Sequence, residues 1–241
     1  MVRGEHTSRF TLTHNDRDLP VGKVAALDGP AAADPRDRFD EIMVGGSPLA
    51  DELMRKVAPA EITRGEGGVG SSLRAEQKRT LHVRGRCTAR PDGIRQIDVQ
   101  LLKPIGSTFR FLTDEATGSG GFGRAPDALS LVSAGIGFCF LTQFGRYAAI
   151  TRKQLSGYRI VQDTHFSAGG APGATGSGGQ AAPVETHVHV DSLEDEDFAR
   201  TLLDMGEQTC FLHAMCRTGL DVKLTFSESE RSLRSPEPDP A

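Results

Sequence analysis

An α+β fold is predicted for this chain, and three observations predict it. Residues 80–113 hold three successive runs with apolar and polar side chains in alternation, the period of half-buried strands. Residues 126–151 then form a long apolar stretch with helical spacing. Two further strand-like runs, a second helix and a last strand follow it. Long helices set among antiparallel-type strands argue for α+β rather than for a doubly wound sheet.

The totals agree with a globular chain. It has 241 residues, 37% hydrophobic and 25% charged, enough apolar material for a core. With 28 glycines and 13 prolines, much of it is loop. A net charge of −4 offers no basic footprint for nucleic acid. The sequence shows no apolar run near the ~18 residues of a membrane span. "MVRGEHTSRF" has no hydrophobic signal core, so a cytoplasmic location is expected, with no membrane partner.

Along the chain, residues 1–75 are the hardest part to place. "RFTLTH" fits a strand, "PRDRFDEIMVGG" and "SPLADELMRKV" fit short helices, and "TRGEGGVGSS" fits a flexible joint. The segment is taken as an N-terminal extension lying outside the main body and dispensable for its chemistry. "GEGGVG" lacks the Lys and Ser/Thr of a phosphate loop, so no nucleotide is expected there. "TLHVRGRC" and "QIDVQLL" flank the turn at Pro91, Asp92 and Gly93 as a hairpin, and "STFRFLT" is a third strand. "DEATGSGGFGR" is a glycine-rich loop. Pro126 suits a first helical turn, where its missing N–H costs nothing.

"GYRIVQDTHF" and "VETHVHV" are strands separated by the low-complexity tip "SAGGAPGATGSGGQAAP". Ser192 and Asp195 resemble a capping box for a helix that reaches about Arg217 and ends at Gly219. "LDVKLTF" is the last strand, and residues 228–241 form a polar, proline-rich tail expected to be disordered.

Four cysteines need explaining: Cys87, Cys139, Cys210 and Cys216. Cys139 and Cys210 lie about seventy residues apart, one on each helix. The stretches "RAPDALSLVSAGIGFC" and "EQTCFLHAMCRTGLDVKLTF" resemble the two cysteine motifs of the OsmC/Ohr family of thiol peroxidases. The resemblance spans residues 78–227. It implies sheets wrapped around two long central helices in an intertwined homodimer, with active sites at the subunit interface. It also implies that the first cysteine reduces an organic hydroperoxide and that the second captures the resulting sulfenic acid. A small or protein-bound dithiol then restores both, and no cofactor or metal is implied. Carried onto this sequence, Cys139 is the attacking residue and Cys210 the resolving one. A second class of function remains open, a non-catalytic OsmC-like module for small-molecule binding or redox sensing.

The sequence departs from the best-studied members at the helix start. Their Asn-Pro-Glu, whose Glu orients an arginine, is here Ala125-Pro126-Asp127. Phe211 follows the second cysteine where many members have proline. A thiol deep in a helix is far from its own helix's N-terminus, and burial raises its pKa. A nearby cation is therefore expected beside Cys139. Arg124, beside the helix entry, is one candidate, and Arg84, Arg86 and Arg110 on the strands are others. Cys87 reads as core. Glu207 lies one turn before Cys210. His187, His189 and His165 read as a solvated sheet face rather than a three-histidine metal site, and "CFLHAMC" falls short of the usual four zinc ligands.

Overall fold

The computed structural model describes residues 8–32, 52–60, 80–170 and 178–225. The chain begins with β1 (Ser8–His14) and β2 (Arg17–Leu19), then β3 (Met54–Ala58). A meander follows, of β4 (His82–Ala89), β5 (Arg95–Lys103) and β6 (Ile105–Thr113). Helix α1 (Ala128–Thr151) leads to β7 (Gly157–Asp163) and to the short β8 (Phe166–Ser167) and β9 (Gln180–Ala181). The described chain closes with β10 (Val184–Asp191), α2 (Glu196–Thr209) and α3 (Phe211–Arg217).

Two four-stranded sheets result. Sheet A has the order β2-β1-β10-β7, and sheet B the order β3-β6-β5-β4. The β4–β5 turn closes as expected from "RPDG": Arg90 N–H donates to the Ile94 carbonyl, and Gly93 takes a φ of 86°, which glycine adopts without a Cβ clash. The alternation in β5 and β6 pairs them antiparallel, with Arg95 opposite Thr113 and Gln100 opposite Thr108.

Helix α1 runs for 24 residues. Asp127 caps it by accepting the Ser130 N–H at 2.6 Å, and Arg152 ends it in the left-handed region. It is long and apolar enough to cross a membrane by length and composition, contrary to the sequence reading. Here α2, α3 and β7 pack along it. The core joins Phe140 and Phe144 of α1 to Leu202 and Leu203 of α2 and to Val188 of β10. Full burial of each such side chain contributes about 1.5–3 kcal/mol. The Phe140 and Phe144 rings lie 4.8 Å apart. Gly206 permits the close approach of α2, because a Cβ there would stand 2.3 Å from Phe144.

Several expectations change. The first strand of the presumed extension is part of the body: β1 pairs in parallel with β10, Ser8 opposite Val184 through His14 opposite Val190. Its Phe10 and Leu12 are each 1% exposed within the core. A boundary near residue 75 thus does not separate the packing. Residues 54–57, read as the end of a helix, instead belong to β3 (Met54–Ala58), which pairs with β6, where tertiary pairing outweighs the helix formers of "LADELMRKV". The other helix of that region, the joint at 63–72, residues 171–177 of the low-complexity tip and the tail at 228–241 lie outside the described residues.

The second helix starts at Glu196 with Asp195 as its cap, while Ser192 instead bonds His14 Nε2 at 3.0 Å. It breaks at Cys210 rather than running through. The expected last strand is absent among the described residues, and Leu220, Val222 and Leu224 are exposed.

Candidate active site

The break at Cys210 builds the site. Cys210 leaves helical geometry, with φ −76° and ψ 117°, and becomes the cap of α3. Its sulfur accepts the His213 backbone N–H at 3.5 Å. The first N–H groups of α3 have no partner inside the helix. Those of Phe211 and Leu212 point at the Cys139 sulfur, which also receives a hydrogen bond from the Gln143 side chain. The Cys139 and Cys210 thiols face each other, and each shifts the other's pKa. Residues 71 positions apart in the chain therefore meet at the seam between α1 and α3.

These contacts separate the two thiols electrostatically. The hydrogen bond from Cys210 and the donors at the start of α3 outweigh burial, and lower Cys139 to about 6. The hydrogen bond to Cys139, and burial after it, push Cys210 well above the ordinary thiol range. At neutral pH the pair is a thiolate at Cys139 with a thiol donating to it from Cys210. Cys139 is half-buried, whereas Cys210 is 1% exposed.

The other sequence candidates are engaged elsewhere. Arg124 donates through Nε to Asp114 at 3.0 Å and through its Nη2 to the Asp92 carbonyl, and it lies over the Phe122 ring. Arg110 forms a two-pronged pair with Asp98 on sheet B, at 2.7 and 2.8 Å. Arg84 and Arg86 stand on the exposed β4. Asp127 is the α1 cap. Among the described residues, the groups that lower the Cys139 pKa are neutral: the Cys210 thiol, the Leu212 and Phe211 N–H groups and the Gln143 amide. The distance from α1's own N-terminus was the wrong consideration, because α3 supplies the N-terminus.

Glu207 pairs with Arg217, and its carbonyl accepts the Cys210 N–H at 3.3 Å. Cys87 is exposed on β4, not core. Cys216 is half-buried, and burial raises its pKa. His187 and His189 are buried rather than solvated, with His187 Nδ1 held by Thr11 Oγ1 at 2.9 Å, while His165 is exposed. Among the described residues no three His, Cys, Asp or Glu side chains gather as metal ligands.

Sequence reasoning missed Gln143, and weighed His213 only as a zinc ligand between Cys210 and Cys216. Gln143 is a polar residue one turn after Cys139 in an apolar helix, and that interruption was the available signal. It is 4% exposed, donates to the Cys139 carbonyl at 3.3 Å and accepts from Thr209 Oγ1 at 3.4 Å. His213 is fully buried, with Nδ1 3.2 Å from the Cys210 sulfur. Burial lowers its pKa to about 4, so the ring is neutral.

No family model matches the sequence, and no curated protein does. Solved structures do. An OsmC-like hydroperoxide resistance protein from Jannaschia sp. CCS1 is similar at 17% identity, over 62% of this chain and 94% of that one, with a TM-score of 0.38. An organic hydroperoxide resistance protein from Legionella pneumophila is similar at 18% identity, over 61% and 96%, with a TM-score of 0.41. The chain is similar in fold to OsmC-like proteins. An OsmC-like protein from Mycoplasma pneumoniae is likewise similar at 13% identity, over 58% and 88%, with a TM-score of 0.41.

Proposed function

We propose that the protein is a thiol-dependent peroxidase for organic hydroperoxides, with Cys139 attacking and Cys210 resolving. One observation carries the reading: a half-buried Cys139 beside the buried Cys210, which holds the Cys139 pKa low at about 6. The two motifs that resemble those of the OsmC/Ohr family hold these same two cysteines. The Cys139 thiolate attacks the distal peroxide oxygen, an S–O bond forms and the O–O bond breaks. The alkoxide takes a proton and leaves as an alcohol, and Cys139 becomes a sulfenic acid. Cys210 then attacks that sulfur, the S–S bond forms, and hydroxide leaves with the Cys210 proton as water. A dithiol reductant returns both thiols by exchange.

The chain works as a homodimer in this reading. Leu129, Val132 and Phe138 of α1 are exposed, at 50%, 43% and 72%. Phe211 and Met215 extend that apolar surface beside the seam. Covering this face with the sheet of a second copy would remove it from water. A cytoplasmic location goes with this chemistry, since a reducing compartment regenerates the thiols.

Mass mapping after one equivalent of cumene hydroperoxide tests the mechanism. A Cys139–Cys210 disulfide is expected. A Cys210–Cys216 or Cys87–Cys139 bridge, or no mass change, would overturn it in favour of a binding module.

A further inference from the structure

His213 is the residue at the seam whose presence neither sequence motif explains. Its ring is sealed between Phe10 and Phe140, with centroids at 5.6 and 4.9 Å. One nitrogen, Nδ1, touches the Cys210 sulfur at 3.2 Å. The other, Nε2, is buried without a hydrogen-bond partner.

Counting protons fixes the direction of the contact. A thiol has one proton, and with Cys139 ionised the Cys210 proton turns to that charge. The Cys210 sulfur therefore faces His213 with lone pairs only. A neutral imidazole has one N–H, so the contact at Nδ1 is a hydrogen bond only if Nδ1 carries it. The remaining Nε2 is then a bare acceptor against apolar rings. A buried donor without a partner is the rarer alternative in proteins.

We infer that His213 is a further catalytic residue, acting as an Nδ1–H donor that holds the Cys210 sulfur and stabilises its thiolate as it attacks Cys139. The inference rests on the two-cysteine reading. When the Cys210 proton moves to the departing hydroxide to give water, negative charge develops on the Cys210 sulfur. Nδ1–H and the His213 backbone N–H both point at that atom. They form a small electrostatic cradle, preorganised for charge that appears only during the step. Imidazole is neither consumed nor ionised, in keeping with its burial.

Two measurements test this on the full chain. Nitrogen-15 NMR of the reduced protein should show His213 protonated on Nδ1 and bare on Nε2. The opposite tautomer overturns the inference. Rapid mixing then compares His213→Phe with His213→Asn. Phe keeps the ring packing without a donor, and Asn places an amide N–H near the Nδ1 position without a base. Disulfide formation should slow about tenfold or more in H213F and recover most of its rate in H213N. Equal slowing in both variants, or none in H213F, overturns the donor role. Each variant is mixed with cumene hydroperoxide and, separately, with diamide, which adds to one thiol and is displaced as its hydrazine by the second. A wild-type chain that closes with diamide but ignores peroxide sinks the peroxidase reading and leaves the His213 comparison intact. Should H213F not fold, the tautomer still decides.

Discussion

Cys139 at the α1–α3 seam and Cys87 on the outer strand of sheet B are both open to solvent to some degree, yet they meet different surroundings. At the seam, two backbone N–H groups, an amide side chain and a second thiol converge on one sulfur. On β4 every residue is exposed, and Cys87 lies opposite Ile97 in a regular ladder. A ladder uses its N–H groups between strands, whereas a helix start leaves them free. The difference teaches that reactivity comes from unused backbone donors, not from exposure. The same reasoning explains Cys216, which lies late in α3 and has burial raising its pKa.

The contrast can be broken in graded ways. Cys139→Ser should abolish peroxide consumption in a coupled dithiol assay, whereas Cys87→Ser should leave it unchanged. Cys210→Ser should allow one turnover and then let Cys139 pass to sulfinic and sulfonic acids under excess peroxide, visible as added oxygen by intact mass. Iodoacetamide labelling of Cys139 should fall about tenfold from pH 7 to pH 5, since its thiolate titrates at about 6. The sign for stability is the same. Ionised Cys139 favours the folded state fully above the ordinary thiol value of 9.0, and that gain disappears as pH falls through about 6. Gln143→Leu should have the smallest effect, raising the Cys139 labelling midpoint and slowing labelling at pH 6 by roughly three- to tenfold, the worth of one hydrogen bond.

Much of the fold was legible because its signals are local. Alternation over residues 80–113 and the apolar run after Pro126 needed no tertiary information. The two cysteines were legible through their motifs. The activating group was not, because it is made by a helix break at Cys210 that no proline or glycine announces. Only the packing of α2 and α3 against α1 shows that Phe211 and Leu212 turn their N–H groups toward Cys139. β1 failed for a related reason. "RFTLTH" is a plausible strand, but its burial depends on pairing with β10, far along the chain. β3 was misread because Leu, Glu, Met, Arg and Lys favour helix locally, and sheet B decided otherwise.

The parallel pairing of β1 with β10 also sets an order of events for a chain made from its N-terminus. Thr11 and His187, bonded across the two strands, are 176 residues apart. When β1 leaves the ribosome its partner has not been synthesised, and closing so long a loop is an entropic cost that local contacts cannot offset. Until β10 arrives, Phe10 and Leu12 sit on a strand flanked, among the described residues, by the three-residue β2 and the bridge of Phe10 to Ala26 on one side, with the β10 side open. An unpaired apolar edge of that kind is a template for the wrong partner. The newborn chain is therefore most vulnerable to aggregation between the synthesis of its first strand and that of its tenth.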